Sequence, residues 1–232
     1  MRATHNKVDS AKIRASESIP LQKVAFLSDY LPRQCGIATF TANLYAAISS
    51  QYPALQYLVV SVSDRSYDYP SEVRFEIDDD RDLQAYRRAA DFLNLSNADV
   101  LSVQHEFGIF GGPAGSHLLT TLSAVRMPIV TTLHTILREP NVAQRRVFEE
   151  VASFSARLIV MSEKGAEFLR TIYGISEKKI DVIPHGIPDV AFVDPNFYKD
   201  QFSVEERPVL LTFGLLSPNK GIENVSTPCR RL

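Results

Sequence analysis

Short, continuous runs of apolar residues, separated by segments with helical spacing, are the feature that most constrains the fold of this chain. Val24–Leu27, Val100–Val103 and Leu158–Met161 are examples of such runs. Strands that are apolar on both faces are typical of a parallel sheet covered by helices on both sides, and strand–helix alternation favours the same arrangement. Ser162 is expected to cap the helix after the third run, and Gly174 to end it. The sequence therefore predicts an α/β fold with a doubly wound, Rossmann-like parallel sheet.

This pattern divides the chain into four segments. Residues 1–20 are polar and lack the apolar core of a signal peptide, so we expect a disordered tail. Residues 21–190 are expected to form the Rossmann-like domain, and residues 191–206, which break the pattern, a linker. Residues 207–232 open with a new apolar strand that no helix follows. Since a single strand cannot bury its own faces, we expect only the truncated start of a second domain there.

Composition argues against several classes of partner. The formal net charge is -2, with 25 basic against 27 acidic residues, which gives no electrostatic attraction to nucleic acid. Two cysteines far apart in sequence do not suggest a disulfide framework. No apolar run approaches the ~20 residues that span a bilayer. We therefore expect a cytoplasmic protein.

A glycine stands between the first predicted strand and the first predicted helix, in the segment Pro32–Phe40. In an open parallel sheet, ligands bind outside the carboxyl ends of the strands. Gly36 would let a ligand approach the backbone there, and the free N–H groups of the helix start attract anions such as a diphosphate. A tight turn that simply needs glycine explains the same residue equally well.

A polar triplet, Gln104-His105-Glu106, follows the predicted strand at Val100–Val103 and precedes a glycine-rich loop. Such a triplet suits sugar hydroxyls. The spacing does not fit a zinc protease motif, because position 109 is isoleucine. A loop whose polar side chains are merely solvated remains an equal alternative.

His134 ends the next apolar strand, and the expected topology places it at the same edge of the sheet. A neutral imidazole can donate or accept one hydrogen bond to a substrate hydroxyl. The alternative is a histidine satisfied by nearby backbone. Histidines at two successive strand ends favour the functional interpretation.

Three further features carry weaker signals. His185, between Pro184 and Gly186, is interpreted as part of a hinge. Lys220 follows the last apolar strand and could neutralise a phosphate, although a lone surface lysine is the better interpretation of that residue alone. The acidic run at 78–80 precedes a helical segment, where acids complement the helix dipole, so we predict no metal site.

Taken in order, these pieces resemble glycosyltransferase family 4. The similarity rests on the Gly36 loop, on His134 in a Leu-His-Thr setting, on Ser162-Glu163, on the Val182–Ile187 segment and on Gly214–Gly221. It extends over about residues 22–225. Members of the family have two Rossmann-like domains that face each other across a cleft, the GT-B fold.

The resemblance implies transfer of a hexose from a nucleotide-sugar donor with retention of anomeric configuration, and with no cofactor or obligatory metal. It implies that Gly36 approaches the donor phosphates, that His134 is the catalytic residue beside the donor sugar, and that Lys220 holds the diphosphate. Gln104, His105 and Glu106 would bind acceptor or donor sugar. The expected partners are the nucleotide-sugar donor and a saccharide or glycolipid acceptor. Peripheral contact with a membrane is compatible with this expectation, and no nucleic acid partner is expected.

Two departures from the family pattern bear on activity. Position 215 is leucine where many members have arginine, and the paired glutamates of the donor domain are absent. We therefore expect this chain to be inactive alone. Two alternatives are a non-catalytic fragment or subunit completed by another chain, and a small-ligand binding domain of doubly wound fold.

Overall fold

The computed structural model describes residues 21–78, 80–187, 190–211 and 222. Two compact units divide the chain, the first ending at His185 and the second beginning at Gly186. The predictions for residues 1–20 and for Lys220 lie outside the described residues.

The first unit alternates strands with helices, as the apolar pattern predicts. Its strands are β1 (Lys23–Ser28), β2 (Gln56–Val62), β3 (Val73–Ile77), β4 (Val100–His105), β5 (Ile129–Leu133), β6 (Arg157–Val160) and β7 (Ile180–Val182). Its α-helices are α1 (Gly36–Gln51), α2 (Leu83–Leu95), α3 (Leu118–Leu122), α4 (Val142–Phe154) and α5 (Glu163–Thr171).

The seven strands form one sheet in the order β3-β2-β1-β4-β5-β6-β7, and every pair of neighbours is parallel. The chain first winds outward from β1 to β3, and then returns to the other side of β1 and winds from β4 to β7. The order of the strands therefore reverses between β1 and β4. A doubly wound sheet forms its ligand crevice at such a point, outside the carboxyl ends of the strands.

The sheet is buried on both faces, which is why its strands are continuously apolar. In β1, Ala25 and Leu27 pack into one core cluster together with Tyr86 from α2. Phe26, between them, points to the other face and packs with Tyr45 from α1. Alternate residues of one strand thus bury against helices on opposite sides, which confirms the predicted doubly wound class.

Polar side chains cap several of the helices. The Ser162 hydroxyl accepts a hydrogen bond from the N–H of Gly165 at 3.1 Å, which confirms Ser162 as the cap of α5. At the start of α4, Asn141 and Gln144 bond each other's backbone N–H groups at 2.9 Å, forming a capping box. Among the described residues, no helix is both long and apolar enough to cross a membrane.

One glycine in the loop after β4 is required by close packing. A Cβ on Gly111 would overlap the backbone carbonyl of Asp80. The N–H of Gly111 also donates to the hydroxyl of Tyr86 at 2.9 Å. The loop between β4 and α3 is therefore fastened to the start of α2 and to the segment before it.

The second unit is short and differs from the linker and strand predicted for it. A helix, α6 (Pro195–Lys199), lies inside the predicted linker, and the carboxylate of Asp194 caps it by accepting from the N–H of Asn196 at 2.9 Å. Residues 208–211, predicted as strand, are irregular and largely exposed. A strand needs a neighbour to satisfy its backbone, and residues 212–214, the rest of the predicted strand, lie outside the described part of the chain.

Candidate functional site

The residues predicted to bind a ligand follow three adjacent strands, at the carboxyl edge of the sheet. Gly36 comes after β1, the triplet at 104–106 ends β4 and continues beyond it, and His134 comes directly after β5. Because β1, β4 and β5 are neighbours in the sheet, the fold brings these residues to one edge beside the strand-order reversal. Backbone bonding ties two of them together directly, since the N–H of His134 donates to the carbonyl of His105 at 3.0 Å.

The start of α1 is open to a ligand. Gly36 is exposed, and a Cβ added to it would meet no atom within 4 Å. Its φ is not in the left-handed region, so the turn itself does not require glycine. The 16-residue helix begins after Cys35, whose side chain makes no capping hydrogen bond. The N–H groups of the first helical turn can therefore donate hydrogen bonds to an anion at this edge.

The imidazole of His134 is held from two sides. Its Nε2 lies 3.0 Å from the side-chain oxygen of Gln104. The ring of Phe40, one turn along α1 from Gly36, meets the imidazole edge-on, with centroids 4.7 Å apart and an interplanar angle of 86°. Phe40 also contacts the ring of His185, at 5.3 Å between centroids. The role of Phe40 was not predicted from the sequence, where its only signal was its helical spacing from Gly36.

His105 and His134 are both uncharged at neutral pH. Burial, and secondarily the charge of His185, lowers the pKa of His134 from 6.5 to about 4. Burial, and secondarily the charge of His134, lowers the pKa of His105 to about 4 as well. His134 thus offers a substrate the hydrogen bonds of a neutral imidazole rather than a positive charge.

The triplet at 104–106 is more buried than its polarity suggested. The exposed fractions of Gln104 and His105 are 0% and 1%. The His105 ring packs against Phe107 and Phe148, at 5.0 and 6.2 Å between centroids. Direct contact of these two side chains with a sugar stays a prediction, and their burial in this structure favours an indirect role through His134.

Glu106 connects the loops that follow β4 and β5. One carboxylate oxygen accepts from the hydroxyl of Thr135 at 2.5 Å, and the other from the N–H of Phe107 at 2.9 Å. The side chain is half-buried, so the carboxylate keeps access to the edge of the sheet. Glu106 can therefore accept a hydrogen bond from a ligand hydroxyl while it holds the two loops together.

A buried ion pair supports the loop that leads into α1, and sequence analysis missed it. Asp29, at the end of β1, is fully buried, and the Nε of Arg33 lies 3.6 Å from its carboxylate. The same guanidinium donates to the carbonyl of Val62 at 3.4 Å and approaches Asp64 at 3.6 Å. The available signal was the polar pair Ser28-Asp29 directly after an apolar strand.

The two depressed histidine pKa values predict a loss of stability in mild acid. In the unfolded chain, a histidine binds a proton once the pH falls below about 6.5. In the folded chain, His105 and His134 bind theirs only near pH 4. The unfolded state then binds more protons, so the free energy of unfolding falls as the pH drops from about 6.5 to about 4, and these groups have no effect above that window. Urea unfolding at a series of pH values measures this slope.

The matched control for this slope is the double variant His105→Gln, His134→Gln. It removes both groups, and its free energy of unfolding should vary less with pH between about 4.5 and 6.5. An unchanged slope in that variant would assign the pH dependence to other groups.

The family model described as Glycosyltransferase Family 4 matches residues 36–190. Comparison with curated proteins finds no match. The lipopolysaccharide outer core galactosyltransferase WaaB, in its apo form, is 13% identical with a TM-score of 0.53, over 72% of this chain and 46% of that chain.

Two further solved structures show weaker likeness. A glycosyltransferase from Rickettsia africae ESF-5 is 15% identical with a TM-score of 0.47, over 89% of this chain and 49% of that chain. An alpha-glucosyltransferase in complex with UDP-glucose and DNA containing an abasic site is 14% identical with a TM-score of 0.47, over 72% of this chain and 43% of that chain. The chain thus spans less than half the length of each of the three structures.

The fold and the family agree. The seven-stranded parallel sheet with helices on both faces matches the Rossmann-like half of a GT-B glycosyltransferase, with WaaB as the example. The family match covers more than half of the chain and includes Gly36, the triplet at 104–106 and His134. This chain therefore belongs to glycosyltransferase family 4.

Proposed function

We propose that this chain provides the acceptor-side half of a retaining glycosyltransferase, which transfers a hexose from a nucleotide-sugar donor to a saccharide, lipid or small-molecule acceptor. One observation carries the proposal. The uncapped start of α1 at Gly36 and the neutral, partly exposed His134 lie at the same edge of the sheet. The open start of α1 at Gly36 suits diphosphate oxygens, and His134 suits a sugar hydroxyl.

Each side chain has one part in this proposal. The N–H groups at the start of α1 meet the donor diphosphate, and no metal or cofactor is proposed. His134 contacts the donor sugar as a neutral group. Glu106 accepts from a hydroxyl of the acceptor or donor sugar. Gln104 and His105 act indirectly, through His134, since their side chains are buried.

The proposed partners are a nucleotide-sugar donor and a hydroxyl-bearing acceptor, met in the cytoplasm. The name of WaaB describes a hexose transfer onto lipopolysaccharide, which falls within the donor and acceptor classes proposed. DNA accompanies the alpha-glucosyltransferase in its structure. For this chain we propose no nucleic acid acceptor, because its formal net charge of -2 offers a polyanion no attraction.

A second candidate function is that of a non-catalytic subunit, which another polypeptide completes. The apolar side chains of the second unit favour it, because Ile187, Phe192 and Leu210 are 88%, 91% and 70% exposed. Exposed apolar residues in such number mark a surface that other protein normally covers. Release of nucleotide from a sugar donor by the purified chain alone would contradict this candidate.

Hydrogen exchange of the purified chain tests the proposed site. Uridine, guanosine, adenosine and thymidine diphosphate sugars are added in turn at high concentration, and amide exchange is followed by mass spectrometry. At least one donor is expected to slow exchange in the first turn of α1 and around His134. Replacing His134 with alanine is expected to weaken binding of that donor by up to about tenfold, the value of one hydrogen bond.

The matched control is His5→Ala, which removes a histidine far in sequence from the site. It should leave both protection and affinity unchanged. Protection at the amino edge of the sheet instead, or no protection by any of the four donors, would contradict the proposed site.

A further inference from the structure

Both the amide nitrogen and the amide oxygen of Gln104 have hydrogen-bond partners inside the protein. Its exposed fraction is 0%. Its amide nitrogen donates to the hydroxyl of Ser102 at 3.3 Å, two residues earlier on the same face of β4. Its amide oxygen lies 3.0 Å from the Nε2 atom of His134. Gln104 thus couples a buried strand to His134, which is partly exposed.

This contact determines which ring nitrogen of His134 carries the proton. A neutral imidazole has one N–H donor and one acceptor nitrogen. An amide oxygen only accepts, so the nitrogen that faces Gln104 must be the N–H. The edge-on packing of Phe40, at 4.7 Å between centroids, opposes rotation of the ring.

The other ring nitrogen, Nδ1, is left as an acceptor. Among the residues that the structure describes, no second hydrogen bond to the His134 ring is present. The titratable groups that act on the ring are the neighbouring imidazoles of His105 and His185. Neither carries an acceptor-only group that would compete with Gln104 for the Nε2 proton.

We propose that Gln104 is a positioning residue, which holds His134 in the Nε2–H tautomer and so presents Nδ1 as a hydrogen-bond acceptor to a hydroxyl of the bound sugar. This inference rests on the proposed function for its ligand and on the contacts above for its geometry. It changes the expected role of Gln104 from direct sugar binding to control of the tautomer. It also makes the site selective for a sugar that keeps a hydroxyl, as donor, at the position facing Nδ1.

Nitrogen-15 NMR of the full chain with labelled histidine tests the tautomer directly. His134→Asn identifies the signals of this ring among the five histidines. The wild-type ring is expected to show the proton on Nε2 at neutral pH. In Gln104→Met, which removes both amide groups, the two tautomers are expected to mix.

Gln104→Glu supplies a second, independent readout. A carboxylate facing Nε2 stabilises the charged imidazole, so the pKa of His134 should rise from about 4 by one unit or more. The matched control is Glu106→Gln, on the adjoining loop and bonded to Thr135, which should leave the tautomer of His134 unchanged. The amide spectrum of each variant establishes that the chain is folded.

Two outcomes would overturn the inference. One is a wild-type His134 with its proton on Nδ1. The other is a folded Gln104→Met or Gln104→Glu chain in which tautomer and pKa match the wild type. A change in the Nδ1 signal on adding a sugar nucleotide, lost with the corresponding deoxy sugar, supports the hydroxyl contact. The tautomer is read without substrate, so absence of glycosyl transfer bears on the proposed function and not on this measurement.

Discussion

Replacing Arg33 with methionine is expected to lower the free energy of unfolding by about 3 kcal/mol, measured by urea unfolding. Asp29 is fully buried at the end of β1, and the guanidinium of Arg33 lies 3.6 Å from its carboxylate. Methionine keeps the apolar length of the side chain but leaves the buried carboxylate without an ion-pair partner. The hydroxyl of Ser28 donates to one oxygen of Asp29 at 3.2 Å, and the other oxygen, which faces Arg33, has no hydrogen-bond partner among the described residues.

The matched control is Arg146→Met. It breaks a solvent-exposed ion pair whose charged atoms are closer together than those of Arg33 and Asp29. Arg146 and Glu150 are 2.9 Å apart on α4, and the side chain of Arg146 is 79% exposed. That change should cost no more than about 0.5 kcal/mol. Adding Asp29→Asn to Arg33→Met should recover part of the lost stability, because the buried charge is then removed. Equal effects of the two single arginine variants would show that burial of Asp29 is not decisive.

Replacing Phe148 with alanine is expected to lower the free energy of unfolding by about 3–5 kcal/mol. The ring is fully buried on α4 and lies between the ring of Tyr173, at 4.3 Å between centroids, and that of His105, at 6.2 Å. Alanine leaves a cavity directly beside His105. Water entering that cavity would relieve the burial that holds the pKa of His105 near 4, so this pKa should rise toward 6.5.

Phe154→Ala, on the same helix, is the matched control. Its ring is 39% exposed, so its removal should cost clearly less than removal of Phe148 and leave the pKa of His105 unchanged. Urea unfolding and NMR titration of the histidines provide the two measurements. If Phe148→Ala lowers the free energy of unfolding strongly but leaves the pKa of His105 unchanged, packing against Phe148 does not hold that pKa down.

Much of the fold was predictable because strand and helix signals are local. The continuous apolar runs at 24–27 and 100–103 marked β1 and β4, and Ser162 marked the start of α5. The helix α6 inside the predicted linker was missed, although Asp194-Pro195 is a strong start signal, because the surrounding residues carry no apolar period. The strand predicted at 208–214 is not formed at 208–211, since pairing depends on a neighbour and not on the segment itself.

The candidate site was predictable in its position and not in its contacts. Gly36 and His134 were expected at the carboxyl edge of the sheet, where the structure has them, because both follow parallel strands. The burial of Gln104 and its bond to His134 were not predictable, because they depend on the register between β4 and β5. The ion pair of Asp29 with Arg33 likewise depends on the path of the loop between β1 and α1.

The sequence by itself determined the class of fold, the order of its elements and the residues that end each strand, because these follow from apolar spacing and from caps acting within a few residues. The tertiary structure alone decided which polar side chains are buried, which histidine nitrogen is bonded, and which residue lies beneath another. Those properties arise from contacts between residues far apart in sequence, where the burial of a group sets its charge and the neighbouring strand supplies its partner.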